Sequence, residues 1–84
     1  MKENLINLLN EIKGTSASAG NISPSSDLVR DFGLSSLDMM QFILRIEEEF
    51  NISIDLEYFE LSYFNNLGQL TDFVERAQKA SADA

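Results

Sequence analysis

Residues 33–50 read Gly33-Leu34-Ser35-Ser36-Leu37-Asp38-Met39-Met40-Gln41-Phe42-Ile43-Leu44-Arg45-Ile46-Glu47-Glu48-Glu49-Phe50. A glycine brings the chain to a turn, two serines follow, and an apolar pattern with a helical period begins at once. Taking roughly 100° per residue, Met39, Phe42, Ile43, Ile46 and Phe50 share one face. Leu37, Met40, Gln41, Leu44, Glu47 and Glu48 share the opposite one. The first face is wholly apolar and belongs in a core. Its burial stabilises a fold by roughly 8–15 kcal/mol, an upper bound because denatured chains are already partly compact. The second face mixes aliphatic side chains with carboxylates, which suits an exposed docking surface.

The two serines have different places in this helix. Ser35 with Asp38 three residues on is a capping-box pattern, and serines begin helices in proteins of every kind. Ser36 then stands at the first helical position. Its hydroxyl points outward, beside free backbone N–H groups and the positive end of the helix dipole, where a phosphate is carried at little cost. The two roles are compatible: Ser35 caps, and Ser36 is free for modification.

Around this helix the pattern predicts three more. Leu5, Leu8, Leu9 and Ile12 mark one face of a helix over about 2–13, stopped by Gly14. Residues 15–26 hold Ser, Ala, Gly, Asn and the single proline, Pro24, and read as a loop that is long for a compact domain. Ile22 is placed to pin it to the core. Asp27 to Gly33 reads as a single turn with Leu28 and Phe32 inward. Asn51 ends the central helix, and Asp55 is placed to cap a short third helix over 56–62 with Leu56 and Phe59 inward. Asn66 and Gln69 form a second capping-box pattern, opening a helix over about 66–78 along Leu67, Leu70, Phe73, Val74 and Ala77. Gly68 weakens its first turn. Residues 79–84 are small and polar and are expected to fray. The expected architecture is all-α: one domain over 1–84, a small four-helix bundle with a long first loop and a short third helix.

Composition narrows the chemistry. Eighty-four residues make one small domain, and 44% apolar content is ordinary for a globular chain. Cysteine and histidine are absent, which removes thiolate nucleophiles, imidazole bases and the usual zinc sites. Asp27, Asp31 and Asp38 lack calcium-loop spacing and read as solvated charges, so no metal is expected. Phe59, Tyr63 and Phe64 read as core before ligand box. The net charge is −8, which disfavours nucleic acid and anionic membrane and favours basic protein surfaces. No apolar run is long enough to span a bilayer, and the expectation is a cytoplasmic monomer.

The run GLSSLDMM followed by ILRIEEEF resembles the second helix of acyl carrier proteins, phosphopantetheine-dependent carriers of thioester intermediates. The likeness is strong over residues 33–50 and weaker elsewhere, where it rests on helix order, the long loop and the short third helix. It implies that the chain is no enzyme. It implies a 4′-phosphopantetheine arm on Ser36, with recognition positions at Leu37, Asp38, Met40, Gln41, Leu44, Glu47 and Glu48. The implied partners are a phosphopantetheinyl transferase, an acyl- or aminoacyl-loading enzyme, and synthases and transferases with basic docking patches. The chain departs from the family at Ser35, where aspartate is usual, and one negative charge beside the attachment point is lost. Gln41, where an acid is common, and Arg45 dilute the acidic face further. The charge and the EEEF ending look more like those of fatty-acid or polyketide carriers. A peptidyl carrier of nonribosomal synthesis stays open, as does an unmodified acidic adaptor that binds partner proteins.

Overall fold

The computed structural model describes residues 1–82. It contains four α-helices: α1 (Lys2–Lys13), α2 (Leu28–Phe32), α3 (Ser36–Phe50) and α4 (Leu67–Ala82). Two 3-10 turns, Ala19–Asn21 and Leu61–Asn65, lie in the connections. No strand occurs among the described residues.

Helix α1 packs on both α3 and α4. Two neighbours need a wide apolar stripe, and Ile6 is buried together with Leu5, Leu8 and Leu9. From α3 the core takes Phe42, Ile43 and Ile46, and from α4 it takes Leu67, Leu70 and Val74. Met39 and Phe50 are half-buried at its edge. No side-chain polar group is buried without a partner among the described residues.

The start of the long first loop is held by one side chain. The Asn10 amide donates to the Ala17 carbonyl at 2.9 Å, and its oxygen accepts from the Ala17 N–H at 3.0 Å and the Thr15 hydroxyl at 2.7 Å. An asparagine that bonds both backbone groups of one residue substitutes for a strand pairing and makes a dozen-residue connection tolerable. Further on, Ile22 lies against the core. The loop's end is tied to α4: the Leu67 N–H donates to the Ser26 carbonyl at 3.0 Å and the Gly68 N–H to the Pro24 carbonyl at 2.7 Å. That approach explains Gly68. A Cβ there would stand 3.3 Å from the Pro24 carbonyl oxygen and 3.2 Å from Asn66 Oδ1. The weak helix former at the start of α4 lets the loop dock without the shift that a Cβ would demand.

Two expectations are corrected. No α-helix forms over 56–62. The chain instead turns once at residues 56–58, runs extended, and winds into the 3-10 turn Leu61–Asn65. Asp55 does cap the first turn, its side chain accepting from the Glu57 N–H at 2.9 Å and its carbonyl from Tyr58 and Phe59. Leu56, expected inward, is exposed. The reason is the spacing of two aromatic residues. Phe59 and Phe64 are both buried, yet five residues of α-helix would set them about 140° apart. Breaking the helix brings both rings inward. Phe64 then meets Phe42 at a centroid distance of 5.6 Å, and Phe59 meets Phe64 at 5.4 Å and Phe73 at 5.1 Å, edge to face.

The second correction concerns the tail. Residues Lys79–Ala82 continue α4, which therefore runs past the expected end at 78, and residues 83–84 lie outside the described residues. At the other end Asn66 precedes the helix as its cap, accepting from the Gln69 N–H at 2.9 Å. Its own N–H goes to the Tyr63 carbonyl.

The aromatic packing yields a test. Phe64→Ala is expected to cost about 3–5 kcal/mol by urea unfolding, as for other buried aromatics. Leu56→Ala should move the midpoint by less than about 0.5 kcal/mol, the usual range for exposed positions. Comparable losses would restore a helix with Leu56 inside.

Candidate functional site

The start of α3 is built by three consecutive devices. The α2 helix is capped by Asp27, whose side chain accepts from the Arg30 N–H at 3.1 Å. That bond, followed by one from the Asn65 amide, holds the Asp27 carboxyl below its ordinary pKa. Gly33 ends α2 in the left-handed region, φ 63°, where residues with a Cβ are strained. The chain then passes the buried Leu34 and reaches Ser35 in extended conformation, φ −82° and ψ 172°.

Ser35 and Asp38 form the full reciprocal capping box. The Asp38 N–H donates to Ser35 Oγ at 3.1 Å and the Ser35 N–H to Asp38 Oδ2 at 3.0 Å. The same carboxylate oxygen accepts from Lys13 Nζ at 2.8 Å, at the far end of α1. Lys13 also reaches the Gly33 carbonyl at 3.4 Å. Asp38 is accordingly pushed down from 3.8 to about 2, first by the Lys13 bond and then by the Ser35 N–H.

Ser36 is exposed at the first position of α3. Ser35 Oγ is occupied by the cap, whereas the Ser36 hydroxyl is left to solvent. With the Asp38 and Met39 N–H groups taken by Ser35, those of Ser36 and Leu37 remain for an anion. The residues therefore fit a phosphodiester on Ser36: an accessible oxygen, free donors and the positive end of a fifteen-residue helix.

The remaining positions divide sharply. Leu37, Met40 and Leu44 are exposed, Leu37 by 68%. Gln41 is exposed too, and with Leu44 it lines a shallow groove against Glu11, Ile12 and Arg45. Asp38 is half-buried in its cap and ion pair. Glu47 is half-buried as well, its Oε2 accepting from the N–H of Ile54 at 2.8 Å. It closes the turn after Asn51, which ends α3 in the left-handed region. Glu48 is exposed and stands 3.7 Å from Arg45. Arg45 in turn donates to Glu11 at 2.7 Å, and that bond holds the Glu11 carboxyl below its ordinary range. Asp38 and Glu47 therefore do structural work that their position on the helix wheel does not show. Lys13 and Glu11 were missed by the sequence reading. They lie 25 and 34 residues from their partners, and only the packing of α1 on α3 brings them there.

Residues 3–74 match the family model described as a phosphopantetheine attachment site. The chain belongs to the acyl carrier protein family. It is 35% identical over 57 residues to an acyl carrier protein of Helicobacter pylori, covering 68% of this chain and 70% of the relative. It is 45% identical over 38 residues to one from Nitratidesulfovibrio vulgaris, covering 45% of this chain and 50% of the relative. The solution structure of a holo acyl carrier protein from Nitrosomonas europaea superposes with a TM-score of 0.80 at 29% identity, covering 94% of both chains. The chain is a carrier of covalent 4′-phosphopantetheine and not an enzyme. Its family implies interaction with a phosphopantetheinyl transferase and acyl-handling enzymes. No helix among the described residues is long and apolar enough to cross a membrane.

Two measurements probe the charge arrangement. A depressed carboxylate pKa contributes stability that is complete above the unfolded value and is lost as pH falls through the folded one. For Asp38 the window runs from 3.8 down to about 2. Wild-type urea midpoints should fall more steeply across it than those of Asp38→Asn, and the two curves should converge at its lower end. Parallel curves would mean that Asp38 carries no linked stability. Glu47→Ala should cost about 1–3 kcal/mol, because it leaves the Ile54 N–H without its acceptor, while Glu48→Ala changes little. Equal effects would return Glu47 to the surface.

Proposed function

We propose that Ser36 carries the arm and that the protein holds acyl intermediates as thioesters for fatty-acid or polyketide-type biosynthetic enzymes in the cytoplasm. The observation that carries the assignment is the division of labour between the serines. Ser35 Oγ is consumed by the Asp38 N–H, and Ser36 is exposed one position further on. The arm, when attached, supplies the thiol that the chain lacks.

The chain's own residues supply a rigid base and an address. Lys13, Asp38 and Ser35 tie the start of α3 to α1, so the Ser36 Cβ–Oγ bond leaves a capped helix end. The partner-facing residues are Leu37, Met40, Gln41 and Leu44, with Glu48 at the far end and Asp38 and Glu47 contributing only their unbonded oxygens. Aliphatic side chains set the fit, and the overall negative charge sets the encounter rate with basic surfaces. A transferase meets the monomer first, then a loading enzyme, then synthases and transferases downstream. By resemblance, the EEEF ending and the charge of −8 look more like those of fatty-acid or polyketide carriers than of a peptidyl carrier.

Incubation with coenzyme A and a broad-specificity phosphopantetheinyl transferase should add one phosphopantetheinyl mass to the wild type and to Ser35→Ala, and none to Ser36→Ala. Ser35→Ala should also lose about 1 kcal/mol of stability through its cap. Modification that survives Ser36→Ala and vanishes in Ser35→Ala would move the attachment point to the capping serine.

A further inference from the structure

Two departures of this chain from its family, Gln41 and Arg45, sit together in one groove. With Leu44 they form its α3 wall, and Glu11 and Ile12 of α1 form the other. The groove measures about 340 Å³, within the usual size of a small-molecule site. The half-buried Ile12 and the exposed Leu44 make it apolar. Its two opposite charges are matched to each other, Arg45 Nε donating to Glu11 Oε2 at 2.7 Å. Gln41 is exposed and carries an amide that both donates and accepts. Such a cleft fits an uncharged ligand built of alkyl and amide groups.

The groove also begins close to Ser36. Gln41, Leu44 and Arg45 stand further along the same helix, about 8–14 Å from Ser36 at 1.5 Å per residue. Beyond its phosphate, a 4′-phosphopantetheine arm is a neutral chain of alkyl and amide units that ends in a thiol. From Ser36 Oγ it is as long as about five residues of extended backbone, about 17 Å. The whole groove is within that length. Two other grooves both include Lys2, which opens α1, whereas Lys13 at the far end of α1 is the residue that reaches Asp38. The bundle interior is occupied by rings. Phe42 and Phe64 are fully buried 5.6 Å apart, and Phe59 stands 5.4 Å from Phe64 and 5.1 Å from Phe73. A chain entering there would have to displace close-packed side chains.

We propose that the groove between α1 and α3 is the resting site of this chain's own phosphopantetheine arm, with Ile12 and Leu44 against its alkyl carbons and Gln41 on its amides. The proposal rests on the reading that Ser36 carries the arm. Tethering makes a weak site sufficient, because a ligand on a short flexible tether is present at an effective concentration in the millimolar range. Gln41 and Arg45 then gain a use. An acid at position 41 would bring an unpaired charge into a groove whose other charges are already matched.

The experiment uses the full holo protein, with the arm as its own probe. The chain has no cysteine, so a thiol-directed nitroxide label goes to the arm alone. In the amide NMR spectrum of the labelled protein, Ile12, Gln41, Leu44 and Arg45 should broaden. In Gln41→Glu with Leu44→Ser, the broadening at Ile12 and Arg45 should fall about fivefold, the factor that corresponds to one lost hydrogen bond. The thermal midpoint should hold, because both substituted side chains are exposed. Ser36→Ala should take no label. Broadening that is unchanged in the double variant, or that is confined to the first turn of α3, would overturn the proposal and leave the attachment site standing. So would broadening centred on Phe59, Phe64 and Phe73, which would send the arm into the bundle instead. Labelling that persists in Ser36→Ala would overturn the attachment reading, and this proposal with it.

Discussion

One carboxylate oxygen holds the working end of this molecule together. Asp38 Oδ2 accepts from the Ser35 N–H, which starts α3, and from Lys13 Nζ, which ends α1. Each bond alone is common. Their convergence couples the direction of the central helix to the position of the first helix and, through the Lys13 contact to Gly33, to the turn between them. A lysine near a helix N-terminus opposes the dipole. Here Asp38 offsets that cost, and the ammonium becomes the tie between two elements that share no local sequence.

The hydrophobic core is arranged around a different constraint, the need to bury aromatic residues at awkward spacing. Phe42 on α3, Phe64 in the 3-10 turn and Phe73 on α4 are joined through Phe59 and Tyr63. A regular helix carried from residue 56 through Phe64 would satisfy the backbone and leave one of Phe59 and Phe64 outside. Burying a ring is worth more than the few backbone hydrogen bonds of a two-turn helix, so the chain gives up the helix. The exposed Leu56, Tyr58 and Leu61 follow directly: they are the residues that a broken helix turns away from the core.

These two constraints mark where the sequence was legible. The starts of α3 and α4 were written locally, by Ser35 with Asp38 and by Asn66 with Gln69, because a cap and the helix it opens lie within four residues. The apolar stripes of α1 and α3 were written in the same way, by period. The third element was not, because its shape depends on Phe42 and Phe73, which lie 17 positions before Phe59 and 14 after it. The candidate site shows the same division. Ser36, Leu37, Met40 and Leu44 are exposed as the helix wheel requires. Asp38 and Glu47 lie on the outer face by angle, yet each is drawn into the fold by a donor that a wheel cannot show, Lys13 in one case and the Ile54 N–H in the other.

The electrostatics of the surface then follow from what the fold consumes. Beside Ser36, Asp38 is paired with Lys13, and further along α3 Arg45 is shared between Glu11 and Glu48, which leaves one negative charge over. What is left around Ser36 is mainly aliphatic. Opposed ions so close together present little field beyond a Debye length, about 8 Å at physiological salt. Four carboxylates without an ion pair, Glu49, Asp55, Glu57 and Glu60, lie close together further along the chain. On the proposed reading, long-range attraction and close recognition therefore reside at different places. A basic partner is drawn by the acidic stretch and then fitted against Leu37, Met40 and Leu44. Such an arrangement makes encounter sensitive to salt while leaving the final contact beside the thioester apolar, dry and dependent on shape.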